Sequence, residues 1–135
     1  MRAVLDTNVV VSGALTAHGA CGQILDLLAE GVFDLPANDS ILAEYERVLH
    51  RPSVGIEPRD AQEILELVLS AAQPVSALPL PVVLPHEADR PFLEVAAAAD
   101  AVLVTGNLRH FPGQARGGVT VVGPEEFLEL LRRVS

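Results

Sequence analysis

Four stretches of this chain carry groups that could do chemistry together: Asp6-Thr7-Asn8, Glu44 with Glu46, Asp89, and Thr105-Gly106-Asn107. All of them offer oxygen. Carboxylates brought together repel, and one of them keeps a proton unless a cation relieves the cost. Mg²⁺ and Mn²⁺ are hard ions that accept oxygen-only ligands. Zinc has no matching Cys/His cluster, since Cys21 is the single cysteine. Each candidate also has a plainer reading. Asp6 or Asn8 could cap a following helix, as Asp, Asn, Ser and Thr commonly do. Asp89 stands where a helix cap would, with Pro91 in the first turn behind it. Asn107 could cap the turn that follows it. Asp100 is read as a turn residue at the far end of the sheet. Asp26, Glu30, Glu63 and Glu66 read as solvated helix faces.

The elements that must position these groups alternate along the chain. A strand at about 3–6 is followed by an apolar segment and a loop at Thr16–Gly19. A helix at about 20–30 carries Cys21, Ile24, Leu25 and Leu28 on one face, and Gly31 ends it. Val32–Leu35 reads as a second strand closed by Pro36. Asn38-Asp39-Ser40 then caps a helix reaching about 50, with Ile41, Leu42, Tyr45, Val48 and Leu49 at helical spacing. Glu44 and Glu46 each fall about 100° from the centre of that stripe, on opposite flanks, so periodicity does not choose between them. Arg47 falls opposite the core. Pro58 opens a helix at about 59–72. The proline-rich stretch Gln73–Pro85 reads as an extended edge, with at most a short strand near Val82–Leu84. A helix at about 89–99, a buried strand at Ala101–Thr105, a last strand at Val119–Val122 and a helix opened by Pro124 complete the pattern.

This alternation predicts one α/β domain over residues 1–135, three layers deep, with a mainly parallel sheet of four or five strands between helices. Strand C-termini lie along one edge of such a sheet, which is where its ligands bind. Asp6, Asp89 and Thr105–Asn107 are all expected there.

Composition narrows the partners. The 135 residues carry a net charge of −9, and all nine basic residues are arginine. A field of that sign repels phosphate, so nucleic acid would bind only where a held cation, an arginine edge or a basic partner reverses it. Without lysine, a receiver-type phosphoacceptor site and a Walker loop are excluded. A haloacid-dehalogenase-type site also wants a second Asp where Asn8 stands. No apolar run approaches the roughly 20 residues of a membrane span. Asp6 and Asn8 interrupt any signal-peptide core. A lone, inert Cys21 fits a reducing cytoplasm.

Together the motifs resemble the PIN-domain ribonucleases, and more closely the VapC-like toxins of toxin–antitoxin pairs. Val4-Leu-Asp-Thr-Asn8-Val is similar to the family's first motif. Ile41-Leu-Ala-Glu-Tyr-Glu-Arg47 matches its acidic third helix, and Asp89-Arg-Pro-Phe-Leu-Glu-Val-Ala96 its third acidic residue. Leu103-Val-Thr-Gly-Asn107-Leu-Arg-His-Phe-Pro112 matches its fourth motif. The resemblance covers nearly the whole chain in motif order. It implies Asp6, Glu44 and Asp89 as ligands of Mg²⁺ or Mn²⁺, with Glu44 chosen over Glu46, and Asn107 completing the catalytic set. Many members carry Asp where this chain has Asn107, which offers an amide oxygen but no charge. Thr7, Asn8 and Thr105 are then expected to orient the ligating side chains. Arg90, Arg109 and His110 flank the motifs as possible RNA contacts. An RNA substrate, a small antitoxin protein and a homodimer built on the helices at 20–30 and 59–72 are implied as partners, with no membrane. Two other roles remain open: a degenerate PIN domain serving as a binding or assembly module, and a nuclease of RNA maturation.

Overall fold

The computed structural model describes residues 1–134. Strands β1 (Ala3–Leu5), β4 (Val102–Val104) and β5 (Val121–Val122) form one parallel ladder in the order β1-β4-β5, and β2 (Leu35–Ala37) pairs in parallel with β3 (Ala72–Pro74). A single parallel bridge between Arg2 and Asp34 joins the two ladders. It is made by Ala3 N donating to Asp34 O (3.0 Å) and Asp34 N donating to Met1 O (2.9 Å). The result is a five-stranded parallel sheet in the order β3-β2-β1-β4-β5, as the alternation of elements predicts.

Helices α1 (Thr7–Leu15), α2 (Ala20–Ala29), α3 (Asp39–Leu49) and α4 (Pro58–Ala71) belong to crossovers that step outward from β1 to β2 and from β2 to β3. Helix α5 (Arg90–Ala99) returns the chain from β3 to β4. Right-handed crossovers put the first group on one face and α5 on the other. Helix α1 touches α2, α3 and α4, while α5 lies on β1, β2 and β4 and also meets α3, where the Tyr45 and Phe92 rings are 6.3 Å apart. Helix α6 (Pro124–Val134) closes against α2, burying Phe127, Leu128 and Leu131. Phe127 meets Phe33 edge to face, with ring centroids 5.1 Å apart. The core is mainly aliphatic, with all four phenylalanines and Tyr45 buried in it, and β1 is fully buried along its length.

Two expectations about strands are corrected. The second strand is Leu35–Ala37, with Pro36 inside it rather than closing it. Ala37 faces β3, because its carbonyl accepts from Val75 N at 3.0 Å. Alternation turns Pro36 the other way, toward β1, where pairing has already stopped at the Asp34 bridge. Its missing N–H therefore leaves no ladder bond unmade. Pro74 is turned outward by the same alternation, on the sheet edge, where proline is tolerated. The proline-rich edge does supply a strand, but at Ala72–Pro74. Val82–Leu84 is irregular, and the Arg90 guanidinium holds it by donating to the carbonyls of Leu80 (2.9 Å) and Val82 (2.7 Å). The apolar segment after β1 is itself helix α1.

The stripes expected to supply a dimer face are mostly spent inside the domain. Ile24, Leu25 and Leu28 of α2 and Ala61, Leu65 and Val68 of α4 are buried, leaving Leu69 half exposed. Asp100 is the turn residue it was expected to be, closing α5 in a left-handed conformation with φ 52°. No helix among the described residues is long and apolar enough to cross a membrane.

One close approach gives a test of the packing. A Cβ built on Gly22, at the start of α2, would stand 2.2 Å from the Ala17 carbonyl oxygen. Backbone is the obstacle, so the turn before α2 would have to move. Gly22→Ala should therefore lower the urea midpoint by the equivalent of about 2–3 kcal/mol. An unchanged midpoint would contradict this packing of the Thr16–Gly19 turn.

Candidate active site

Parallel register builds the centre of the site. Leu5 pairs with Val104, so the next residues, Asp6 and Thr105, emerge side by side at the C-terminal edge. Asp6 N donates to Val104 O at 2.9 Å, and Thr105 N to Val122 O at 3.0 Å. This is also where the strand order reverses, since β1 leads away to β2 and β4 leads the opposite way to β5. Open α/β sheets form their ligand crevice at such a switch point.

Asp6 caps the helix that follows it and also reaches the end of β4. Its Oδ1 accepts from Thr7 N at 2.8 Å, capping α1. Its Oδ2 accepts from the Thr105 hydroxyl at 2.8 Å and from Asn8 Nδ2 at 3.3 Å. Thr105 Oγ1 accepts in turn from Asn107 N at 3.0 Å, and Asn8 Oδ1 from Gly106 N at 2.9 Å. Asn8 and Thr105 thus tie the end of β1 to the end of β4.

Helix α3 starts from the Asn38 cap, whose Oδ1 accepts from Ile41 N at 2.9 Å. One turn on, Glu44 turns to the site and accepts a hydrogen bond from the Thr7 hydroxyl, while Glu46 is exposed. Glu44 Oε1 also stands 3.6 Å from Arg47, across a solvent-exposed gap. The neighbouring Tyr45 is fully buried, and its hydroxyl donates to Leu5 O, the last carbonyl of β1. Sequence reasoning placed Tyr45 in the core stripe and missed this bond. A buried tyrosine needs a partner for its hydroxyl, and that was the available signal.

Asp89 is not the side-chain cap of α5. It ends a short 3-10 turn (Glu87–Asp89) and points inward, with 9% of its surface exposed. His110 Nδ1 lies 2.8 Å from Asp89 Oδ2, at ion-pair distance. The alignment is not that of a hydrogen bond, and Oδ2 is the one buried side-chain oxygen or nitrogen among the described residues with no hydrogen-bond partner. The other ring nitrogen, His110 Nε2, is 2.8 Å from Asn107 Nδ2. His86, which sequence reasoning also missed, lies over the His110 ring with centroids 4.2 Å apart. Nothing in the sequence signals that contact, because the two histidines lie on separate loops.

Of the expected RNA contacts, Arg109 is exposed beside the Asn107 loop. Arg90 is engaged by Glu87, Glu94 and the Leu80 and Val82 carbonyls. His110 is held between Asp89 and Asn107. Cys21 lines a cavity of about 600 Å³ beside the Gly106–Leu108 loop. Burial pushes its thiol pKa up, which disfavours the reactive thiolate.

The electrostatics are those of crowded carboxylates. Asp6 is 4% exposed, and its pKa is raised from 3.8 to about 6. Burial is the main cause, and the charges of Asp89 and Glu44 add to it, against the hydrogen bonds from Thr105 and Thr7. Burial likewise raises the Asp89 pKa, which His110 partly opposes. These donors suit a hard divalent cation in kind, being all oxygen, and the orphaned Asp89 Oδ2 has a lone pair to give. They do not form a finished cage: among the described residues, no three His, Cys, Asp or Glu side chains are gathered closely enough to hold a metal ion.

A parallel sheet with an acidic C-terminal edge defines a class, and comparison with known families identifies it. Residues 2–109 match the PIN domain family, and the chain belongs to that family. It is 31% identical over 111 residues to an uncharacterised protein of Methanocaldococcus jannaschii, covering 79% of this chain and 71% of that protein. Among solved structures it is similar to VapBC2 from Rickettsia felis bound to a DNA fragment from their promoter. That match has 20% identity, covers 91% of this chain and 98% of the other, and has a TM-score of 0.61. It is also similar to PAE2754 from Pyrobaculum aerophilum, with 17% identity, 98% and 90% coverage and a TM-score of 0.62.

The raised Asp6 pKa makes a stability prediction. The folded state holds this proton more tightly than the unfolded chain does, so stability falls as pH rises from about 4 to about 6 and stays reduced above that. The cost is of order 2–3 kcal/mol at neutral pH. With chelator present, Asp6→Asn should melt several degrees above wild type at pH 8, and the gap should close as pH falls below 6. A variant less stable than wild type at pH 8 would contradict the raised value.

Proposed function

We propose that this protein is a metal-dependent ribonuclease and the toxin of a toxin–antitoxin pair. One observation carries the reading. At the β1–β4 switch point Asp6 is buried and disfavoured as an anion, with the charges of Asp89 and Glu44 acting on it, and Asp89 Oδ2 is buried with no hydrogen-bond partner. Divalent-metal-dependent nuclease activity is general to PIN domains. Asp6, Glu44 and Asp89 would hold Mg²⁺ or Mn²⁺, and Asn107 would add its amide oxygen. Such an ion, when bound, lowers the pKa of water and stabilises charge that develops on a phosphate.

The chain's own residues supply the rest. Thr105 and the Thr7 backbone N–H aim the Asp6 carboxylate, and the Thr7 hydroxyl aims Glu44. Asn8 holds the Gly106 backbone so that Asn107 follows at a fixed place. Arg109 is exposed and available to an RNA phosphate, whereas Arg90 is occupied within the fold. The likeness to VapBC2 supports a small antitoxin protein as partner, and an acidic toxin without lysine favours a basic one. A homodimer stays part of the proposal, although the buried stripes of α2 and α4 do not support it. A cytoplasmic setting follows from that role.

A second reading is favoured by the neutral Asn107 and by the open arrangement of the carboxylates. In it the domain binds or assembles and does not cleave. Thermal shift separates the two. A working site should be stabilised by Mn²⁺ or Mg²⁺ in wild type, and much less in Asp6→Asn. Cleavage of RNA should require the ion, stop with EDTA, and fall by roughly a hundredfold or more in Asp6→Asn, Glu44→Gln and Asp89→Asn, beyond what outer partners cost. Cleavage in EDTA, or full activity in Asp6→Asn, would sink the nuclease reading. Induction should also arrest growth, and co-expression of a neighbouring small gene should relieve it. Growth unaffected by a cleaving enzyme would point to RNA maturation instead.

A further inference from the structure

His110 touches two of the site's arms at once. Its Nδ1 lies 2.8 Å from Asp89 Oδ2, and its Nε2 lies 2.8 Å from Asn107 Nδ2. Asp89 stands at the head of α5, and Asn107 lies beyond the end of β4. A nitrogen and a carboxylate oxygen stand that close, even at the poor alignment described above, only when a proton lies between them, and a hydrogen on Nδ1 supplies it. The opposite nitrogen of a singly protonated imidazole is an acceptor. An acceptor at Nε2 is matched by the Asn107 amide N–H₂ and would be repelled by its carbonyl oxygen. The imidazole therefore decides which way the amide faces. His86 packs against the same ring at a tilt, with 37° between the ring planes.

We propose that His110 is a positioning residue: with its hydrogen on Nδ1, it orients Asn107 so that Oδ1, not the amide nitrogen, is offered to a cation, and it braces Asp89 beside it. The proposal rests on the metal-site reading given above and extends it to a residue first expected to contact RNA. It also gives Asn107 a reason other than decay. An amide has a donor for Nε2 and an acceptor to spare, and a carboxylate has no donor. The poor alignment of the Asp89 contact leaves a lone pair of Oδ2 open, as a ligand would need.

Two measurements on the intact protein test this. Long-range ¹H–¹⁵N correlation at pH 8 without metal should show His110 as the Nδ1–H tautomer, and the Nε2–H tautomer would overturn the proposal. Calorimetry with Mn²⁺ should show His110→Ala binding roughly 10–100-fold more weakly than wild type, as loss of an orienting partner does. His110→Gln keeps a donor group and an acceptor group and should recover most of that loss. Thermal midpoints in EDTA check that each variant is folded. Wild-type affinity in His110→Ala would overturn the positioning role. Failure of wild type to bind either Mn²⁺ or Mg²⁺ would instead overturn the metal-site reading, and the tautomer would then decide the orientation of Asn107 by itself.

Discussion

Leu5 lies opposite Val104 in a parallel ladder, and the residues after them cannot avoid each other. Asp6 is thereby buried beside Thr105, at the end of a strand that has no exposed surface. A carboxylate in that place is costly, because burial disfavours its charge and two further carboxylates face it. Local hydrogen bonds offset part of the cost. The Thr7 N–H, the Thr105 hydroxyl and the Asn8 amide all donate to Asp6. Those donors then fix their own neighbours, Asn107 through Thr105 and Gly106 through Asn8. The site is a consequence of register, in which one buried acid recruits the ends of two strands and the start of a helix.

The same dependence decides what could be read from sequence. Buried parallel strands are apolar blocks, so β1, β4 and β5 were legible, and with them the edge on which Asp6 and Thr105–Asn107 meet. Helix α3 was legible from its cap and stripe. Its inward glutamate was not, because two flanks at equal angles differ only in what they face, and Thr7 lies 37 residues away. Resemblance chose Glu44 where periodicity did not, and Glu44 is the glutamate that accepts from the Thr7 hydroxyl. The β2 and β3 boundaries were missed because proline was read as a breaker. Whether proline breaks a strand depends on which side its absent N–H would face, and that is a property of the sheet. The cap and ligand readings of Asp6 were set against each other as rivals. One carboxylate has two oxygens, and the structure uses one for the cap and the other for the β4 end.

Long-range contacts between loops account for the rest of what was missed. Arg90 looked like a basic group next to a motif, available to phosphate. It is bonded to the proline-rich edge, where backbone carbonyls without ladder partners need a donor. Tyr45 looked like core and is core, but its hydroxyl finishes the β1 carbonyl row at Leu5. Neither fact has a periodicity. Both follow from the rule that buried polar groups find partners, which names a need without naming the residue that meets it.

That rule bears on the charge of the site. Three carboxylates and a neutral Asn107 give the edge one charge fewer than a fourth acid would. In isolation this reads as a weakened centre. The position of His110 changes the comparison. Its Nε2 faces residue 107 and its Nδ1 faces Asp89. An Asp at 107 would put carboxylates against both nitrogens, and the imidazole would have to be cationic to satisfy them. That added cation would offset the added anion, so the gain in net negative charge at the edge would be small. With Asn107 the amide nitrogen meets Nε2, and the imidazole makes no demand on the amide oxygen. The residue at 107 and the residue at 110 therefore have to be judged as a pair.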